Sequence, residues 1–102
     1  MTEVPFTLTF DAASGTLTVA GDVDEHNAAV LREGIEKQSQ MYSLGIVLDL
    51  SAATYLPSAA VGVLVRAAQE FAEAGTPFEL AAAAGTIAER VLTVCAMPHR
   101  AY

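Results

Sequence analysis

Basic residues, cysteine and long apolar runs are all scarce in this chain, and each scarcity removes a class of function. Lys and Arg number five against twelve Asp and Glu, a net charge of −7, with a pI near 4.5. Phosphate backbones are gripped by clustered cations, so no nucleic acid is expected as a partner and basic protein surfaces are favoured. The one cysteine, Cys95, permits no internal disulfide, and its apolar setting RVLTVCAMP predicts a buried thiol in a reducing compartment. No apolar run approaches the ~18 residues of a membrane span, and the opening MTEVPF lacks the basic-then-apolar order of a secretory leader. Cytoplasmic residence is therefore the expectation. Linkers, repeats and low-complexity tracts are missing, although LAAAAG (80–85) is rich in small residues.

The spacings of catalysis are missing too. Cys95, His26, His99 and Ser58 are the candidate nucleophiles and bases, but Cys95 falls on an apolar helical face, His26 opens a helix and His99 follows Pro98. Nothing in that arrangement has the spacing of a triad or a metal site, and no glycine-rich phosphate loop is present. Neither an enzyme nor a cofactor or metal is expected.

What the chain has in quantity is apolar side chains, 53% of 102 residues, enough for one core and a single domain over 1–102. Phe6, Leu8 and Phe10 alternate with polar residues, DAASG supplies a turn, and Leu17 and Val19 alternate again, predicting an antiparallel hairpin. Asp22 and Asp24 offer caps for a first helix over roughly 25–42, with Val23, Val30, Leu31, Ile35 and Met41 on its buried side. Ile46, Val47, Leu48 and Leu50 form a nearly continuous apolar run, predicting a central strand over 45–50 with helices on both faces. Val61, Leu64, Val65, Ala68 and Ala72 make the stripe of a second helix, flanked by Phe71 and closed by Gly75. A strand in TPFELAA precedes a third helix, where Thr86 and Glu89 have capping-box spacing and Ile87, Val91, Val94 and Cys95 form the stripe, ended by Met97 and Pro98. The order implies an α/β fold: a mixed sheet of four to five strands with an N-terminal antiparallel hairpin, right-handed parallel crossovers and three or more helices.

That order, with VAGDVD (19–24) after the second strand and LDLSAATYLPSAAVGVLV (48–65) in the middle, resembles the STAS domain, the family of bacterial anti-sigma factor antagonists, over nearly the whole chain. The family's central segment runs vDls.v.fiDSSGlgvLv, and Leu48, Asp49, Leu50, Ser51, Tyr55, Leu56, Val61, Gly62, Val63 and Leu64 match it. The resemblance implies partner switching. The unmodified domain captures an anti-sigma factor, a serine-protein kinase of the histidine-kinase-like ATPase type, and so frees a sigma factor for transcription; phosphorylation of a serine at the head of the second helix dissolves the complex. A phosphate there adds about −1.5 to −2 charges to the interface. At that point this chain departs from the pattern: DSSG aligns with PSAA, so Pro57 stands for Asp, Ser58 for the first Ser, Ala59 for the usual acceptor and Ala60 for Gly. The resemblance therefore implies partner binding by Pro57, Ser58, Ala59, Ala60 and Val61, with Asp22 and Asp24 alongside, and implies no phosphate on Ala59.

Two readings stand for most of these residues. Ser58 is either a displaced phosphoacceptor or an N-cap for the second helix. Ser51 and Thr54 are expected to make local turn hydrogen bonds. Asp49 is expected at the carboxyl end of the central strand, as a loop-organising carboxylate or on the ligand side of the sheet. Asp22, Asp24 and Glu25 either receive a partner's Arg or Lys or simply stabilise a helix start. The alternative to sigma-factor control is a STAS subunit bound to the ATPase of an ABC-type lipid transporter; a third reading is a small-ligand or structural STAS module.

Overall fold

The computed structural model describes residues 4–102. The two alternating segments pair antiparallel as β1 (Thr7–Asp11) and β2 (Thr16–Asp22). Gly15 closes the turn between them with φ +67° and its N–H on the Asp11 carbonyl at 2.8 Å. The chain continues as α1 (Glu25–Gln38), β3 (Ile46–Tyr55), α2 (Ser58–Ala74), β4 (Phe78–Ala82), α3 (Ile87–Val94) and a two-residue β5 (Arg100–Ala101). The sheet order is β1-β2-β3-β4-β5, with every pair after the hairpin parallel. β3 is central, as its apolar run predicts.

Three parallel crossovers that step in the same direction, each right-handed, must place all their helices on one face of the sheet. The expectation of helices on both faces is therefore corrected. Leu17, Val19, Ile46, Leu48, Leu50 and Leu80 are buried in one cluster with Leu31, Ile35, Leu64, Phe71 and Leu92 of the helices. The residues between them, Thr16, Thr18, Val47, Asp49 and Glu79, stay half-exposed, and Thr7 and Thr9 are exposed. The run Ile46–Leu48 is a one-faced strand whose reverse side carries a single valine.

Each helix is turned relative to its expected stripe. α1 buries Ala28, Leu31 and Ile35, while Val30 and Met41 are exposed. It stops at Gln38, four residues earlier than expected, because Gln40, Met41 and Tyr42 take left-handed φ values of 50°, 55° and 69°. Buried Ser39 holds that turn, its hydroxyl donating to the Ile35 carbonyl (2.7 Å) and accepting the Tyr42 N–H (3.0 Å). α2 buries Ala60, Leu64, Ala67 and Phe71, sharing only Leu64 with the expected stripe. This rotation seats Phe71 in the core, where it stacks on Phe78 at 4.5 Å and meets Tyr42 edge-on at 5.1 Å, a large apolar ring in a favourable paired geometry. Gly75 ends α2 in the left-handed conformation, φ 68°, as expected.

α3 buries Ala88 and Leu92, half-buries Val91, and leaves Ile87, Val94 and Cys95 exposed. The buried-thiol expectation for Cys95 is thus overturned; Leu92 outbids its β-branched neighbours for the core, and Cys95 falls at the exposed helix end. Thr86 caps α3 by accepting the Glu89 N–H at 3.2 Å. The return arm of the capping box is not made, since the Glu89 carboxylate is engaged by Thr93 and His99.

Candidate functional site

Parallel strands deliver their carboxyl ends, and the helix heads that follow them, to one end of the sheet. There the β2 end meets the β3 end: Asp22 pairs in register with Tyr55, and the Val23 N–H donates to the Tyr55 carbonyl at 3.2 Å. The Asp22 carboxylate accepts the Thr54 hydroxyl and the Val4 N–H (3.2 Å). Asp24 is the cap of α1, accepting the Asn27 N–H at 2.7 Å, and the Asn27 amide donates to the Asp22 carbonyl at 3.3 Å. Asp22 therefore stands beside Thr54–Tyr55, just before the turn into α2, with Asp24 two residues further on at the start of α1. Thr54, expected to bond within its own turn, instead ties two strands together.

At the head of α2 the cap position is held by Pro57, φ −74° and ψ 170°, with no side-chain hydrogen bond closing the helix. The Pro57 carbonyl accepts from the Ala60 and Val61 N–H groups at 2.9 and 3.1 Å. Ser58 is the first helical residue and is exposed. The cap reading of Ser58 is thereby overturned: a capping hydroxyl must come from the extended residue before the helix, and proline occupies it. Ala59 and Val61 are half-buried, and Ala60 is fully buried in the core, so Ala60 shapes the site from beneath. Two surface residues complete the patch: Tyr55, 56% exposed, and Gly62, around whose missing Cβ there is open space. Neither is a candidate in sequence terms, although both lie in the family pattern, and Gly62 lies one helical turn from Ser58.

The other polar candidates lie elsewhere. β3 runs on to Tyr55, so Asp49 is within the strand, not at its end. Its carboxylate accepts the Tyr102 hydroxyl and the Ser51 N–H (2.9 Å). Partial burial pushes the Asp49 carboxyl up, but these hydrogen bonds outweigh it and hold the group below the usual carboxylate range, while the same carboxylate raises the Tyr102 hydroxyl. Ser51, expected to bond locally, accepts the Ala83 N–H at 2.6 Å and meets the Tyr102 hydroxyl at 2.8 Å. His26 is exposed in the first turn of α1. His99 places Nδ1 2.8 Å from the Met97 carbonyl and Nε2 2.8 Å from the Glu89 carboxylate. Among the described residues no cluster of three His, Cys, Asp or Glu side chains could hold a metal ion, and no helix is long and apolar enough to cross a membrane.

The STAS domain model matches residues 7–98. Among solved structures, an anti-sigma factor antagonist from Mycobacterium paratuberculosis superposes with a TM-score of 0.73 at 19% identity, covering 95% of this chain and 85% of that one. An antisigma-factor antagonist STAS domain from Rhodobacter sphaeroides gives 0.52 at 15% identity, covering 76% and 85%. At such identities the likeness is one of fold.

Proposed function

This chain belongs to the STAS domain family, and on that footing we propose that it is an anti-sigma factor antagonist: it captures an anti-sigma factor of the kinase-like ATPase type and so controls sigma-factor-dependent transcription without phosphorylation at the usual position. The observation that carries the reading is the head of α2. Its first residue, Ser58, is solvent-exposed, its cap is a proline without a side-chain donor or acceptor, and it adjoins Tyr55 and the acidic strand end at Asp22 and Asp24. An exposed aromatic beside uncommitted backbone N–H groups is a surface suited to a protein partner. Ala59, at the aligned acceptor position, has no hydroxyl to phosphorylate. Ser58 is about 100° away around the helix, and as the one hydroxyl in the first turn of α2 it remains the candidate phosphoacceptor.

The test is calorimetric titration with the kinase-like anti-sigma factors of the same organism. Ser58→Glu and Gly62→Arg are chosen because neither threatens the fold: an acidic residue in the first turn favours the helix dipole, and Gly62 borders open space. Both variants should melt no lower than wild type and bind at least about tenfold more weakly, a loss of ~1.4 kcal/mol. Unchanged affinity in both would move the interface away from this head. With ATP present, mass spectrometry should find wild type bound yet unphosphorylated and Ala59→Ser partly phosphorylated, only partly because Pro57 and Ala60 also differ from the family pattern. Stoichiometric phosphate on Ser58 would instead make it a displaced switch.

A further inference from the structure

β5 is the shortest element of the sheet, two residues paired to Ala81 and Ala82 at the outer edge of β4. It is held by the Tyr102 N–H on the Ala82 carbonyl (3.3 Å) and the Ala84 N–H on the Tyr102 carbonyl (2.7 Å). Immediately before it, His99 is clamped at both ring nitrogens by acceptors, the Met97 carbonyl and the Glu89 carboxylate, each at 2.8 Å. Its side chain is only 13% exposed. A neutral imidazole has one N–H and one lone pair and can satisfy one of two acceptors; the imidazolium, with two donors, satisfies both.

We propose that His99 is a protonation-dependent latch: as imidazolium it pins the root of β5 to α3 through Glu89, and on losing a proton it loosens β5 and uncovers the outer edge of β4. Nothing in this depends on the anti-sigma reading. The other charged groups around the latch are Arg90, next to Glu89 on α3, and the Arg100–Glu79 pair (3.2 Å) that joins β5 to β4. Asp49 meets the far end of β5 through Tyr102. Of the side-chain types gathered here, imidazole is the one whose ordinary titration falls near neutrality. The Met97 carbonyl and then Glu89 hold His99 above the ordinary histidine range. The sign follows from linkage: a raised group stabilises the closed state below its unfolded value, and that stabilisation is lost as pH rises through the folded value. An unpaired sheet edge is a template for an added strand, so the latch would set when β4 can accept one.

The experiment is NMR on the intact chain between pH 5.5 and 8.5, following the His99 ring protons and the exchange of the Ala84 and Tyr102 amides after correction for intrinsic rates. Those amides should exchange roughly five- to tenfold faster at the alkaline end, the scale of one charge-assisted hydrogen bond, with a midpoint coincident with His99. Glu89→Gln keeps the backbone N–H that Thr86 caps, and should shift both midpoints to lower pH together; His99→Gln should abolish the pH dependence. Exchange in the second half of α3, at buried Leu92, should remain slow in every variant and so report an intact fold. Amide protection at β5 that stays flat while His99 titrates, or a midpoint that Glu89→Gln leaves in place, would overturn the proposal.

Discussion

At the scale of single residues, the structure separates positions that tolerate change from positions that do not, often in defiance of residue type. Gly21 is the sharpest case. Its φ is +86°, and a Cβ there would lie 1.9 Å from the Pro5 carbonyl oxygen, because the segment before β1 runs against the end of β2, with the Asp22 N–H on the Val4 carbonyl. Gly21→Ala should cost about 2–4 kcal/mol, combining left-handed strain with overpacking; a urea midpoint equal to wild type would show that this segment yields freely. Leu64 and Val61, neighbours in the expected stripe, now part company. Leu64 is wholly buried while Val61 is half-exposed, so Leu64→Asp should abolish cooperative folding, an unpaired buried charge costing several kcal/mol, whereas Val61→Asp should still give a sigmoidal thermal melt.

At the scale of elements, the point of interest is how far each helix turns from the stripe its sequence suggests. Helical periodicity finds a band of apolar residues but does not say which edge of a broad band faces inward. In α3 both Leu92 and its neighbours Val91 and Val94 are apolar, and only packing chooses between them. Leu92→Ala should destabilise the protein by about 2–5 kcal/mol and Val94→Ala by no more than about 0.5. Chemical denaturation of the two variants decides this, and equal effects would mean that α3 sits differently on the sheet. α1 shows a second limit. Its apolar period runs on through Met41, yet three consecutive left-handed residues, held by buried Ser39, stop the helix; hydrophobic spacing carries no information about that turn.

At the scale of the whole molecule, the sheet has one covered face and one face strung with threonines, and the open face is closed off at one end by a tie between distant parts of the chain. Asp49 in β3 and Tyr102 after β5 are joined through the tyrosine hydroxyl. Because Asp49 titrates below its ordinary range in the folded state, its contribution is present above the unfolded carboxylate value and is lost as pH falls through the lower folded value. Tyr102→Phe should therefore raise the Asp49 midpoint seen by carbon-detected NMR and flatten the acid limb of the stability profile. An Asp49 titration unmoved by the change would show that Ser51 and partial burial alone set it.

The sequence by itself determined the order of elements through the third helix but not the two-residue β5 beyond it, and it determined the antiparallel hairpin, the centrality of β3, a helix start at Asp22 or Asp24 and another at Thr86, the stop at Gly75 and the family, because alternation, capping chemistry and a long local motif are all properties of neighbouring residues. It also determined that the aligned acceptor position, Ala59, has no hydroxyl. Tertiary structure alone decided that all three helices share one face, since that depends on the direction of successive crossovers and not on any one strand's composition. It likewise decided that α2 turns Phe71 inward onto Phe78, that Cys95 is exposed, that Pro57 and not Ser58 takes the cap, and that Thr54, Ser51 and His99 find their partners far along the chain or across elements. Contacts between residues remote in sequence leave no local period to read; they exist only once the sheet has brought the strand ends together.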